Sequence, residues 1–184
     1  MNRNLSPFAE LEGVILKRKS RAAAAKQNRK LIWETFKMIM ILAVAVTLFF
    51  SFFSFKIVNG NEMYPALRDG DLMLVWRRSD YDRGDIVFYK VDGREYCGRV
   101  VASGGDRIRF TEDGTFYVNG TAQTADVLFP TYSSGGETEE VIPPNTVYIL
   151  GDFRTECTDS RVLGAVPLEQ ISGRAISFFR HKKI

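Results

Sequence analysis

Val58-Asn59-Gly60-Asn61-Glu62-Met63-Tyr64-Pro65-Ala66-Leu67-Arg68-Asp69-Gly70-Asp71 is the stretch around which the chain is organised. Gly60 permits a tight backbone approach, and Pro65 fixes φ and removes a donor. Arg68-Asp69-Gly70-Asp71 carries a turn signal, and the β-rich run Leu72–Trp76 follows it. Upstream, Met38 to Phe55 are eighteen residues without a charge, with Trp33 and Phe36 extending the apolar character. As a helix that run measures ~27 Å, close to a hydrocarbon core. The spacing therefore predicts a rigid loop just outside a bilayer, feeding a sheet.

The head of the chain supports a membrane orientation. Residues 1–30 hold eight Lys/Arg and two Asp/Glu, a net +6 within a chain of net +3, which leaves −3 for the rest. A basic flank before an apolar run keeps the N-terminus inside, and this asymmetry speaks against nucleic-acid binding. The end of the run, Ser51-Phe52-Phe53-Ser54-Phe55, lacks the small-x-small pattern of a cleavable leader. The reading is a basic cytoplasmic segment over 1–32, a single transmembrane anchor over 33–56 and an extracytoplasmic domain over 57–184. Phe8, Leu11, Val14 and Ile15 fall at helical spacing, so the head is either an amphipathic helix on an anionic leaflet or a solvated extension that sets topology.

The outer part predicts a mainly β, antiparallel domain. Leu72–Trp76, Asp85–Lys90, Glu95–Val101, Arg107–Phe110, Thr115–Val118, Val147–Leu150 and Gly173–Phe179 are short runs rich in β-branched and aromatic residues. Glu112-Asp113-Gly114 reads as a hairpin turn, Asn119-Gly120-Thr121 as a turn rather than a glycosylation site, and Tyr132–Glu140 as a polar loop or flap.

Metal and histidine chemistry find little support. The one histidine, His181, lies in a basic tail, and the two cysteines, Cys97 and Cys157, have no metal-ligand spacing. No cofactor is expected. A Cys97–Cys157 bridge would close a loop of about 60 residues. Strand alternation argues against it by setting Cys97 opposite to Gly98.

The stretch 58–71 resembles the nucleophile box of type I signal peptidases, Gly-x-Ser-Met-x-Pro-Thr-Leu followed by Gly-Asp. Gly60, Met63, Pro65, Leu67, Gly70 and Asp71 match in register, while Glu62 stands at the serine and Ala66 at the threonine. The resemblance continues through Arg83-Gly84-Asp85-Ile86-Val87, then Arg99-Val100-Val101 with Gly105-Asp106, then Val118-Asn119-Gly120. It ends with Gly151-Asp152-Phe153-Arg154, in which Phe153 replaces the family's asparagine, and Asp159-Ser160-Arg161 with Gly164. It implies a signal-peptidase-type β ectodomain in which a serine hydroxyl would be activated by a neutral lysine. A serine hydroxyl needs such a base, and a lysine serves only when burial lowers its pKa. The lysine position is Gly98 and the supporting-hydroxyl position is Cys157, so no catalytic residue is intact.

The closest pattern is that of the non-catalytic signal-peptidase-like proteins of Gram-positive pilus clusters. That resemblance implies a membrane-anchored binding or assembly factor for a pilin or another secreted precursor, with a pilin precursor or a sortase as partner. The binding groove is expected at Gly60, Glu62, Met63, Pro65, Cys97 and Gly98, with a void or a widened cleft where the lysine stem would lie. Structural ion pairs are expected between Arg99 and Asp152 and between Asp159 and Arg161. Trp76, Leu74 and Met63 supply either an apolar rim or plain core. Two alternatives remain: an active type I signal peptidase with unusual residues, among which a carboxylate dyad on Glu62 is one form, and a structural membrane adaptor working through its basic head.

Overall fold

The computed structural model describes residues 7–77, 80–123, 129–133 and 135–180, with side chains in the first helix described from Leu16 on except Ser20, Ala22 and Ala23. His181 and the side chains of Phe8, Leu11, Val14 and Ile15 lie outside the described residues. The chain divides at Phe50 into a helical unit and a β unit.

Helix α1 (Pro7–Phe52) runs without a break through both the basic and the apolar segments. From Leu31 to Ser51 every side chain is exposed, which for an apolar surface of this length is a lipid-facing pattern. The anchor differs from the expected 33–56 at its far end. Phe53–Ile57 is not helix but strand β1, paired with β2 (Leu72–Trp76) from Phe53 opposite Trp76 to Ile57 opposite Leu72. The reason is local: Phe53-Ser54-Phe55-Lys56-Ile57 alternates in the period of a strand, and the Phe53 ring meets Trp76 edge-on at 4.7 Å. The uncharged helical part, Met38–Phe52, is then only ~22 Å long. A full span needs the turn upstream, where Glu34 and Lys37 offset each other at 3.2 Å.

The remaining strands are β3 (Ile86–Val91), β4 (Arg94–Ser103), β5 (Arg107–Phe110), β6 (Phe116–Val118), β7 (Thr121–Ala122), β8 (Thr138–Val141), β9 (Thr146–Leu150), β10 (Val166–Pro167) and β11 (Ile171–Phe179). They form a seven-stranded sheet in the order β1-β2-β11-β3-β4-β9-β10 and a four-stranded sheet in the order β7-β6-β5-β8. Every pairing described is antiparallel. Part of the polar stretch 132–140, expected to be a loop or flap, is strand: Thr138–Val141 pairs with β5. Glu139 and Glu140 face outward there, and Glu139 meets Arg107 at 2.8 Å.

Turn chemistry sets the registers. Asp92 and Gly93 (φ 51° and 77°) join β3 to β4, and Asn119 and Gly120 (φ 51° and 79°) join β6 to β7. Two successive positive φ values make the tight hairpin turn whose twist matches the strands. Asn119 also accepts from the Arg107 N–H and donates to Asp106, so its side chain is used internally. A bulge between Val100 and Ala102, where β4 meets β9, turns Val101 and Ala102 toward the small sheet. They join Ile108, Phe110, Phe116, Val118, Ile142, Tyr148 and Leu150 in the core between the sheets.

The stretch 58–71 is fastened to the large sheet by its own apolar residues. Val58, Met63 and Leu67 pack with Met73, Val75 and Phe88. Its ends are tied by Val58 N–H to Asp71 O and Gly70 N–H to Val58 O, both 2.9 Å. The buried Asp71 carboxylate accepts from the Arg68 N–H at 3.0 Å and pairs with Arg180 at 2.6 Å. The Arg180 hydrogen bond holds the Asp71 carboxyl below its ordinary range.

Candidate functional site

Strand β4 is longer than its partner. It pairs with β3 from Arg94 to Arg99, but with β9 only from Arg99 onward. The segment Arg94–Gly98 therefore has a strand on one side only, and an unpaired edge is a template for another extended chain. A cleft of about 500 Å³ opens beside it, lined by Ile57, Asn59, Glu62, Phe88, Arg94, Glu95, Tyr96, Cys97 and Thr158.

Two segments bring Glu62 to this cleft. The apolar anchors of the 58–71 loop fix it from one side. From the other, the Phe153 N–H donates to Glu62 O at 2.9 Å, with the Phe153 ring against Tyr64 and Phe129. The Glu62 side chain is half-buried. Burial raises its pKa, the nearby Asp159 charge adds to this, and the Thr158 backbone N–H opposes it.

Below the cleft sits a polar cluster built on Asp159. This carboxylate caps the short helix α2 (Ser160–Leu163) through the Arg161 N–H. It also accepts from Gly151 N–H at 3.1 Å, Cys157 Sγ at 3.0 Å, and Arg161 Nε and Nη2 at 2.8 and 2.9 Å. Asp152 takes a bidentate pair from Arg99 at 2.9 and 2.6 Å. Arg154, buried, donates to Gly151 O at 2.8 Å and to Thr131 Oγ1 at 2.7 Å.

The expected groove residues separate. Glu62 and Cys97 line the cleft. Met63 does not: it is core, 1% exposed. Gly60 and Pro65 lie on the exposed outer side of the loop. Gly98 leaves no void, because a Cβ there would meet Ile149 Cγ2 at 2.5 Å. Of the proposed apolar rim, Trp76 and Leu74 are partly buried in β2. Ile57, Asn59, Phe88, Arg94, Glu95, Tyr96 and Thr158 were not expected at the site. Their membership depends on where β9 stops pairing, which no local motif encodes.

The chemistry available is limited. Glu62 has no hydroxyl and Gly98 no amine. Cys97 and Cys157 are free, and burial pushes both thiols up to about 12, so neither is a thiolate at neutral pH. Lys56 is engaged with Glu95 at 2.6 Å. A proton-sharing carboxylate pair on Glu62 finds no partner, since Asp152 and Asp159 are both taken by arginines. Among the described residues there is no group of His, Cys, Asp and Glu that could hold a metal.

The raised Glu62 pKa has a consequence for stability. The folded state favours the protonated acid, so a penalty is absent at low pH and appears as pH rises through the folded pKa. Glu62→Gln removes that penalty. The variant is expected to melt ~1–3 °C above wild type at pH 7.5, on the scale set by a fraction of 1 kcal/mol in a domain this size. The gain should vanish near pH ~4, where the wild-type acid is also neutral. Thermal unfolding of the full chain in detergent at the two pH values checks this.

Comparison with known proteins gives the family of the chain. The profile of the signal peptidase family, peptidase S26, matches residues 32–179. Signal peptidase I of Bacillus caldolyticus is 34% identical over 168 residues, covering 81% of this chain and 90% of that protein. Signal peptidase IB of Staphylococcus aureus (strain N315) is 28% identical over 171 residues, covering 79% and 88%. The crystal structure of a signal peptidase I from Enterococcus faecalis V583 aligns with 52% of this chain and 96% of its own at 20% identity, with a TM-score of 0.45. The chain belongs to the signal peptidase family, peptidase S26.

Proposed function

We propose that this chain uses a signal-peptidase-type cleft to hold an extended segment of a secreted precursor without cutting it. The β domain stands outside the cell membrane on a single span, with the N-terminus in the cytoplasm. A pilin precursor, or a sortase that handles one, is the partner that the sequence pattern suggests. The observation that carries the reading is the cleft itself: an open strand edge remains while the nucleophile and base positions hold Glu62 and Gly98. The relatives are named as signal peptidases, which favours a second reading, an active peptidase with an altered site.

Binding is tested by a photo-crosslinking residue at Asn59, a cleft-lining position that leaves Glu62 in place, in the intact membrane protein. The expected result is one dominant adduct with a secreted precursor or its processing partner, recovered uncleaved. Adducts with lipid alone, or a precursor recovered only as cleaved product, would contradict the proposal.

A further inference from the structure

We propose that Glu62 forms the floor of a subsite for a basic side chain, lysine or arginine, carried by an extended peptide lying along the free edge of β4. This rests on the holding function proposed above and names the chemistry of what is held.

Four carboxylates lie in or beside the cleft, and three have a cation. Asp152 is paired with Arg99, Asp159 with Arg161, and Glu95 with Lys56. Glu62, half-buried, has no cationic partner among the described residues. A carboxylate taken out of water without a counter-charge is unfavourable, and one backbone N–H offsets only part of the loss. A peptide cation arriving at Glu62 would relieve it.

The walls suit the same ligand. Ile57, Phe88 and Cys97 are apolar surfaces along the approach to Glu62. Cys97 adds no charge, because its thiol stays protonated. The long apolar stem of lysine or arginine lies favourably along such surfaces while its charged end meets an acid. The other charged groups lining the cleft are Arg94, which is exposed, and Glu95, whose charge is already met by Lys56. Arg94 is screened by solvent, so the charge lacking both full solvent and a cationic partner is that of Glu62. A small neutral side chain would leave Glu62 as it is, and an acidic one would be repelled. The free edge from Arg94 to Gly98 is ~17 Å long, enough for about five residues of an added strand.

The test uses the full chain in nanodiscs of neutral lipid, so that basic peptides gain nothing from the bilayer. The probes are capped, fluorescent alanine-valine peptides of about seven residues, with one lysine walked through the positions. Matched peptides carry norleucine or glutamate in its place. At the best position the lysine peptide should bind roughly tenfold more tightly than norleucine, a difference of about 1.4 kcal/mol. Glu62→Gln should abolish that preference, and Glu62→Lys should transfer it to the glutamate peptide. Equal affinity for all peptides, or a lysine preference that persists in Glu62→Gln, would overturn the basic subsite while leaving the cleft as a peptide binder. Failure of every peptide to bind wild type and variants alike would overturn the holding function, and this inference with it.

Discussion

Asp159→Ala should destabilise the β domain by about 3–5 kcal/mol, the usual cost of removing one partner of a buried ion pair. Asp159 is 2% exposed, and the Arg161 side chain is 10% exposed. Alanine would leave a guanidinium with no carboxylate, the Gly151 N–H without its acceptor and α2 without its cap, all within one tightly packed loop. Asp152→Ala offers the comparison. Its partner Arg99 is 31% exposed and keeps a bond to Gly84 O, so the loss there should be near 1 kcal/mol. Urea unfolding of the two variants measures the difference. A cost below about 1 kcal/mol for Asp159→Ala would mean that the cluster under the cleft does not hold the loop.

The second large effect concerns rebuilding the missing chemistry. Glu62→Ser alone should give no cleavage of a signal-peptide precursor, because an unassisted hydroxyl is barely nucleophilic at neutral pH. Gly98→Lys alone should give none either, because the amine would have no nucleophile to activate. Their combination should give a trace, since residues of one catalytic unit act together. Cys157→Ser, which returns a hydroxyl beside Asp159, should raise it. The structure adds an obstacle: the new lysine's Cβ would run into Ile149, fully buried in β9. Overpacking of this kind costs ~1–3 kcal/mol and displaces side chains. Ile149→Ala should therefore improve the rebuilt site, to on the order of tenfold to a hundredfold above background, at or below the lower end of the roughly hundredfold to ten-thousandfold that one well-positioned base contributes. Precursor processing assayed across the series tests this, and activity in either single variant would contradict it.

Much of the β domain was legible in the sequence because its signals are local. The bounds of β2 follow from a continuous apolar run and those of β5 from alternating residues, and the Asp92-Gly93 and Asn119-Gly120 turns fix two hairpins. Strand β1 was hidden because Phe52 to Phe55 continues the apolar run of the helix, which masks the short alternation from Phe53 to Ile57 until β2 is paired beside it. Strand β8 was hidden by its glutamates, which suit an exposed face as well as a loop. At the site, the Asp159–Arg161 pair was suggested by the family resemblance, and it forms because Asp159 caps the short helix that Arg161 enters. The Arg99–Asp152 pair spans 53 residues and was suggested by family resemblance alone. The relation of Gly98 to Ile149 depends on how β4 and β9 register across the bulge. That is a property of the folded sheet, and the composition around Gly98 gives no sign of it.

The most direct test of the account is processing of a signal-peptide precursor by the wild-type chain, in membranes from which other signal peptidases are absent. The account predicts that the precursor remains intact, because the cleft holds a carboxylate at the nucleophile position, the base position has no amine, and the Cys97 thiol in the cleft and the Cys157 thiol beneath it are both protonated. Processing at a rate comparable to an intact serine-lysine enzyme, lost in Glu62→Ala, would contradict it and make Glu62 a catalytic residue.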